Sequence, residues 1–296
     1  MKIDGVFSGG GVKAYAFLGV LEVLNKHELK LERVAGTSAG AIVASFLAAG
    51  FNVKDIQEKL DQLDLKAFQD PPLVTRWLPF SKWFFLYFQL GINKGDKLES
   101  WLYNQFAEKG IYTFNDLPKG YLKVVVSDLT LGKLVVIPDD LERIYGLNPL
   151  HFPISKAVRM SAGFPYFFMP KQLPGKSKTK SIMVDGGLLS NFPLWIFDNQ
   201  RGNKDRPVLG VKLSDSIEKM EPRRIRNALD MFQALFSTMK LAHDSRYISK
   251  SQKKNIIFVP VEGIEAMNFS ISNETKESLV RKGREMADVF LKRWPK

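Results

Sequence analysis

The first fifty residues alternate between short apolar runs and glycine-rich turns. Ile3–Phe7 is a strand candidate. Ser8-Gly-Gly-Gly follows, then a helical pattern over 12–26 in which Phe17, Val20, Leu21 and Leu24 recur on one face. Glu32–Ala35 predicts a second short strand. Gly36-Thr-Ser-Ala-Gly40 comes next, and the run 41–50 reads as a buried helix closed by Gly50. A right-handed crossover sets two such strands parallel. It brings both glycine-rich turns to their C-terminal ends, the edge where open α/β sheets bind ligands.

Further on, residues 52–70 have amphipathic helical spacing. Residues 71–92 have no clean period and crowd Trp77, Phe80, Trp83, Phe84, Phe85, Tyr87 and Phe88 among three prolines. Lys123–Ser127 and Leu134–Ile137 are β-branched runs around a turn at 130–133. Ser155–Ala162 predicts a helix, broken by Pro165 and Pro170. A basic loop at 175–180 leads to a short strand, Ser181–Val184, that ends in Asp185-Gly186-Gly187. Val208–Leu213 and Ile256–Val261 predict strands, Arg224–Ile248 and Asn273–Trp294 helices. In the last, Leu279, Gly283, Met286 and Phe290 share a face. There is no repeat and no Gly/Ser linker. The expected architecture is one α/β domain over 1–296, with a mainly parallel central sheet flanked by helices on both faces. Its motif-bearing part is about 3–200, its aromatic-rich insertion 71–92 and its basic part 201–296.

Composition narrows the chemistry. The 296 residues are 45% hydrophobic and 25% charged, an ordinary globular balance. The chain has no cysteine, which excludes disulfides, thiol catalysis and zinc sites built on Cys. Lys and Arg number 43 against 31 Asp and Glu, a net charge of +12. Residues 201–296 hold 20 basic and 12 acidic residues, so +8 of that excess lies in the last third. Such a surface is drawn to polyanions. The basic residues are dispersed and form no nucleic-acid reader motif, so nucleic acid is not an expected partner and an anionic membrane is the better one. The N-terminus lacks an apolar leader, and Asp4 sits where one would begin. No run approaches the ~20 apolar residues of a membrane span. The expectation is a cytoplasmic protein in peripheral contact with a membrane.

Three motifs carry chemistry. Gly36–Gly40 matches G-x-S-x-G, in which a serine rides a sharp strand-to-helix turn. Gly36 and Gly40 supply room, and the following helix aims its N-terminus at developing negative charge. The three glycines 9–11 leave backbone amides unshielded at a helix start, as an oxyanion hole or anion nest requires. Gly9, Gly11 and Ala14 also fit a relaxed dinucleotide fingerprint. The acidic residue at the right distance, Glu32, lies at the start of its strand rather than the end. Asp185, with two glycines after it, presents a carboxylate at the same sheet edge. Among three histidines, only His243 follows Asp185, inside a helix rather than on a loop. His27 ends the first helix and His151 precedes Phe-Pro. A Ser–Asp pair without histidine is the favoured arrangement.

Taken together, SGGGVKAYAFLGVL, then GTSAG, then DGG followed by Asn191-Phe-Pro resemble the patatin-like phospholipase family. The segment 159–170, RMSAGFPYFFMP, resembles the proline-containing stretch before that family's aspartate. Family members often carry Gly where this chain has Ala14, a small residue that preserves the loop. The resemblance covers residues 8–193 and implies a serine acyl hydrolase of phospholipids or related lipids. On the matching positions it implies Ser38 as nucleophile and Asp185 as base. Gly9, Gly10, Gly11 and Ala39 are implied as oxyanion donors, with Gly36, Gly40, Gly186 and Gly187 supporting the turns. It implies no metal and no cofactor. Trp77, Phe80, Trp83, Phe84 and Phe85 would form a lid or membrane loop, with a core helix as the alternative. Phe164–Met169 would line the acyl pocket or the core. Two alternatives stand beside the hydrolase: a weakly catalytic membrane- or partner-binding module, and an acyltransferase on the same residues. Oligomeric state is left open.

Overall fold

The N-terminal apolar run forms strand β1 (Lys2–Phe7), buried from Ile3 onward. The computed structural model describes residues 1–63, 68–72, 86–175, 179–197, 206–214, 225–226, 231, 234–239, 253–261, 264 and 271–294. Trp77, Phe80, Trp83, Phe84, Phe85 and His243 lie outside the described residues. After β1, a 3₁₀ turn (Gly11–Ala14) runs into helix α1 (Tyr15–Lys26). Strand β2 (Lys30–Thr37) leads through Ser38 into helix α2 (Ala39–Ala48), which Gly50 closes at φ +81°. Helix α3 (Val53–Asp61) starts from a capping box of Asn52 and Asp55.

Strand β3 (Gly91–Asn93) and helix α4 (Asp96–Ala107) follow. Helix α4 stands outside the sequence expectations. Leu98, Leu102 and Phe106 are its buried stripe, but its cap is remote in sequence. The Asp70 carboxylate accepts from the amides of Gly95 (2.6 Å), Asp96 (2.8 Å) and Lys97 (3.1 Å). Next come β4 (Leu122–Asp128), β5 (Lys133–Ile137), helix α5 (Ile154–Ser161), β6 (Tyr166–Phe168), β7 (Lys171–Pro174) and β8 (Lys180–Asp185). Strands β9 (Val208–Ser214) and β10 (Ile256–Pro260) and helix α6 (Asn273–Leu291) complete the order.

Eight strands form one mixed sheet in the order β10-β9-β1-β2-β4-β8-β7, with β5 also paired to β4. The five strands from β10 to β4 are mutually parallel, and the crossover argument predicted this for β1 and β2. Strands β5, β7 and β8 are antiparallel additions. Strands β3 and β6 form a separate parallel pair, Gly91 opposite Tyr166. The apolar segments of the parallel strands are covered on both faces. On one face Ile3 and Phe7 pack under α1, where Phe17 meets Phe7 edge-on at 5.3 Å between ring centres. On the other, Val6, Ala35 and Val125 pack against Phe192, Leu194, Ile196 and Phe197.

At the sheet end away from the glycine turns, Asp4 is fully buried. It accepts from Arg33 Nε at 3.0 Å, from a second Arg33 nitrogen, and from Arg206 Nε at 3.2 Å. One carboxylate thus ties β1, β2 and the entry to β9. Asp4→Ala leaves two partly exposed guanidinium groups to rehydrate. The expected loss is about 3 kcal/mol, at the low end for breaking a buried ion pair, read from urea unfolding.

Candidate active site

The register along β4 explains how Ser38 and Asp185 meet. Strand β5 pairs with β4 from Val124 to Asp128 and occupies one edge of it. The other edge is shared. Strand β2 runs along its first half and ends with Thr37 opposite Val125. Strand β8 runs in from the opposite direction and ends with Asp185 opposite Val126. The two strands therefore abut end to end, and Ser38, one residue past the tip of β2, neighbours Asp185 although 147 positions away.

Ser38 sits between β2 and α2 at φ +54° and ψ −124°, a conformation that L residues rarely adopt. The turn is tight: a Cβ on Gly36 would lie 2.3 Å from the Gly40 carbonyl oxygen, and one on Gly40 2.4 Å from that of Phe7. The serine is half-buried. Its carbonyl accepts from the amides of Ala41 and Ile42, which starts α2. Its amide donates to Ser161 Oγ at 2.9 Å, and its Oγ donates to Asp185 Oδ2 at 2.7 Å. The other carboxylate oxygen, Oδ1, accepts from the Gly187 amide at 2.7 Å, and the Asp185 amide donates to the Gly163 carbonyl at 3.0 Å. Asp185 is buried, so its orientation is held by three elements at once.

The glycine loop after β1 lies beside the serine. Ser8 is pinned to β9: its amide donates to the Val211 carbonyl, and its Oγ accepts from the Leu213 amide at 3.0 Å. Gly9 differs from the sequence expectation. Its amide donates to the Asn191 carbonyl at 2.9 Å, so it is not open to a ligand. Its role here is close approach, since a Cβ would lie 2.4 Å from Asn191 Oδ1 and 3.3 Å from Ser38 Cβ. The amides of Gly10, Gly11 and Ala39 have no acceptor among the described residues.

Sequence reasoning missed Asn191, Ser161, Gly163 and Arg159. The signals were present as Asn-Phe-Pro and RMSAGFP, but nothing in them says what they touch. Arg159 is fully buried and donates to the carbonyls of Gly95 (2.9 Å), Lys94 (3.0 Å) and Met169 (3.1 Å). Burial pushes its pKa down to about 10, against the pull of Glu99, Asp70 and Asp96, so it stays charged at neutral pH. The stretch 164–169 divides between core and surface. Phe168 is buried under Arg159, Phe164 stacks edge-on with Phe236, and Tyr166 is exposed. Tyr87 and Phe88, beside the undescribed part of the insertion, are 77% and 63% exposed. His27 caps the end of α1 and His151 is exposed, and neither bonds to Ser38 or Asp185. Glu32 pairs with Lys2 at 3.2 Å at the far end of β2, away from the glycine loop. Glu32 is therefore not placed to act as the acidic partner of a dinucleotide fingerprint. Among the described residues no helix is long and apolar enough to cross a membrane.

A serine elbow, a glycine loop and an aspartate at one edge of a mixed α/β sheet define a patatin-like protein. The family model for patatin-like phospholipase matches residues 5–198, and the chain belongs to that family of lipid acyl hydrolases. It is 45% identical over 294 residues to the uncharacterized protein YqhO of Bacillus subtilis, covering 99% of each chain. The uncharacterized protein R571 of Acanthamoeba polyphaga mimivirus shares 25% identity over 289 residues, 93% of this chain and 89% of that one. Among solved structures, VipD from Legionella pneumophila is similar at a TM-score of 0.58 and 21% identity, over 98% of this chain and 66% of VipD. The type III effector ExoU is similar at a TM-score of 0.51 and 17% identity, over 99% of this chain and 53% of ExoU. At those identities the likeness is one of fold.

Proposed function

We propose that this protein is a serine acyl hydrolase that cleaves acyl esters of phospholipids or related lipids through an acyl-enzyme on Ser38, with Asp185 as the only base. The carrying observation is the direct 2.7 Å hydrogen bond from Ser38 Oγ to Asp185 Oδ2, which leaves no place for a histidine between them. Asp185 takes the Ser38 proton as Oγ attacks the ester carbonyl carbon. The C–O bond to the alcohol then breaks, and the proton passes from Asp185 to the leaving oxygen. In the second half Asp185 takes a proton from water, the hydroxide attacks the acyl carbonyl, and Ser38 leaves with the proton returned. A free aspartate titrates near ~3.9, a weak base for a hydroxyl, so fixed geometry has to supply what basicity does not. The amides of Gly10, Gly11 and Ala39 are the oxyanion donors in this reading, each worth ~3 kcal/mol of transition-state stabilisation. Residues 1–296 act as one catalytic unit, since α6 near the C-terminus packs on α1 behind the glycine loop. Contact with an anionic membrane belongs to the same reading, supported by the +12 charge and the exposed Tyr87 and Phe88.

An alkyl fluorophosphonate tests it. The wild type in EDTA should take up one phosphonyl group, on the peptide that holds Ser38, and lose ester hydrolysis in step. Hydrolysis that persists in a fully modified chain overturns the assignment. His243→Ala should keep kcat within about threefold of wild type. A drop toward the ~10⁴-fold scale of triad deletions would show that a histidine takes part.

A further inference from the structure

The nucleophile turn and the acid turn are both tied to one three-residue stretch, 161–163. Ser161, the last residue of α5, is fully buried. Its Oγ donates to the Val125 carbonyl at 2.6 Å and accepts from the Ser38 amide at 2.9 Å. Two residues on, the Gly163 carbonyl accepts from the Asp185 amide at 3.0 Å. Val125 is the β4 residue opposite Thr37, and its carbonyl also packs against Gly186, where a Cβ would come within 2.2 Å. The stretch cannot drift, because Arg159 anchors the end of α5 to three carbonyls.

Resting on the hydrolase reading above, we infer that Ser161 is a positioning residue for the nucleophile. A hydroxyl has one proton to give. Ser161 spends it on Val125, which turns a lone pair toward the Ser38 amide. That bond draws the amide inward and helps keep Ser38 at φ +54° with Oγ on Asp185. A residue in such a conformation persists only where its surroundings over-determine it. The bond also removes the nucleophile's own amide from the oxyanion donors and leaves that task to Gly10, Gly11 and Ala39. Without the hydroxyl, the Ser38 amide and the Val125 carbonyl are both stranded in a dry site.

The test compares wild type with Ser161→Ala, Ser161→Cys and Ser161→Thr. Rates are taken per fluorophosphonate-titrated site, so unfolded molecules do not count. In Ser161→Ala, kcat and the rate of Ser38 phosphonylation should both fall by about tenfold to a hundredfold, with KM within about twofold. The Ser38 amide, followed by hydrogen exchange in ¹⁵N-serine-labelled protein, should exchange at least about tenfold faster. Ser161→Thr, which keeps the hydroxyl, should recover both. If the alanine variant does not fold, the cysteine variant, near-equal in volume and a poor hydrogen bonder, carries the comparison. Per-site rates within twofold of wild type together with unchanged Ser38 exchange overturn the inference. A wild type that neither hydrolyses esters nor takes up phosphonate overturns the hydrolase reading instead. The exchange arm then decides the Ser161 contact alone, faster exchange supporting it and unchanged exchange ending it.

Discussion

Asp185→Asn should lower kcat on a medium-chain p-nitrophenyl ester by about 10⁴-fold or more, and Ser38→Ala should do the same, with EDTA present throughout. In the proposed mechanism the two groups act as a unit, so the double variant should be no worse than either single one. Asparagine matches aspartate in shape and can still accept from the Gly187 amide, which now meets Asp185 Oδ1 at 2.7 Å. It cannot take a proton from Ser38. The loss should therefore fall on kcat, with an unchanged circular dichroism spectrum and thermal midpoint. Residual activity above a hundredth of wild type in Asp185→Asn would mean that another base serves Ser38. A stability measurement checks the same geometry from another side. Ser38 holds φ +54°, a strained value for an L residue and an easy one for glycine. Ser38→Gly should therefore unfold at higher urea than Ser38→Ala, by about 1 kcal/mol, although neither should hydrolyse esters.

Gly283→Val should be strongly destabilising although it lies outside the active site. Helices α1 and α6 cross with their backbones nearly touching. A Cβ on Gly283 would lie 1.9 Å from the Ala16 carbonyl oxygen, and one on Gly19 1.9 Å from that of Val280. Backbone cannot yield as a flexible side-chain end can, so the helices must separate. That uncovers Leu279, Val280, Ala287 and Leu291, all buried on α6. The expected loss is about 4 kcal/mol or more, enough to unfold a marginal domain, read as urea midpoint or as failure to accumulate soluble protein. Glu285→Ala, two residues away and exposed, is the control and should stay within about 0.5 kcal/mol. Equal stability for Gly283→Val and Glu285→Ala would show that α6 does not pack this closely. The result bears on the whole chain, because α6 lies beyond the residues 5–198 matched by the family model.

The sequence by itself determined what short-range chemistry controls. The parallel pair β1–β2, the helices that follow them and the turn that carries Ser38 were readable, because apolar period, glycine placement and helix closure act within a few residues. So were Ser38 and Asp185 as candidates, since each stands at the end of an apolar run beside two glycines. The tertiary structure alone decided how those candidates are held. Helix α4 is capped by Asp70 from across an insertion, so the local pattern around Gly95 showed no start signal. The Gly9 amide looked as open as its neighbours until the Asn191 carbonyl, 182 residues later, was found to take it. Ser161 is an unremarked serine in a helix until β4 brings Val125 and Ser38 against it. The meeting of Ser38 with Asp185 depends on β2 and β8 sharing one edge of β4 and ending at adjacent residues. Pairing register is a choice among distant backbone groups that all carry the same donor and acceptor. No residue type announces it, and only the packed sheet selects it.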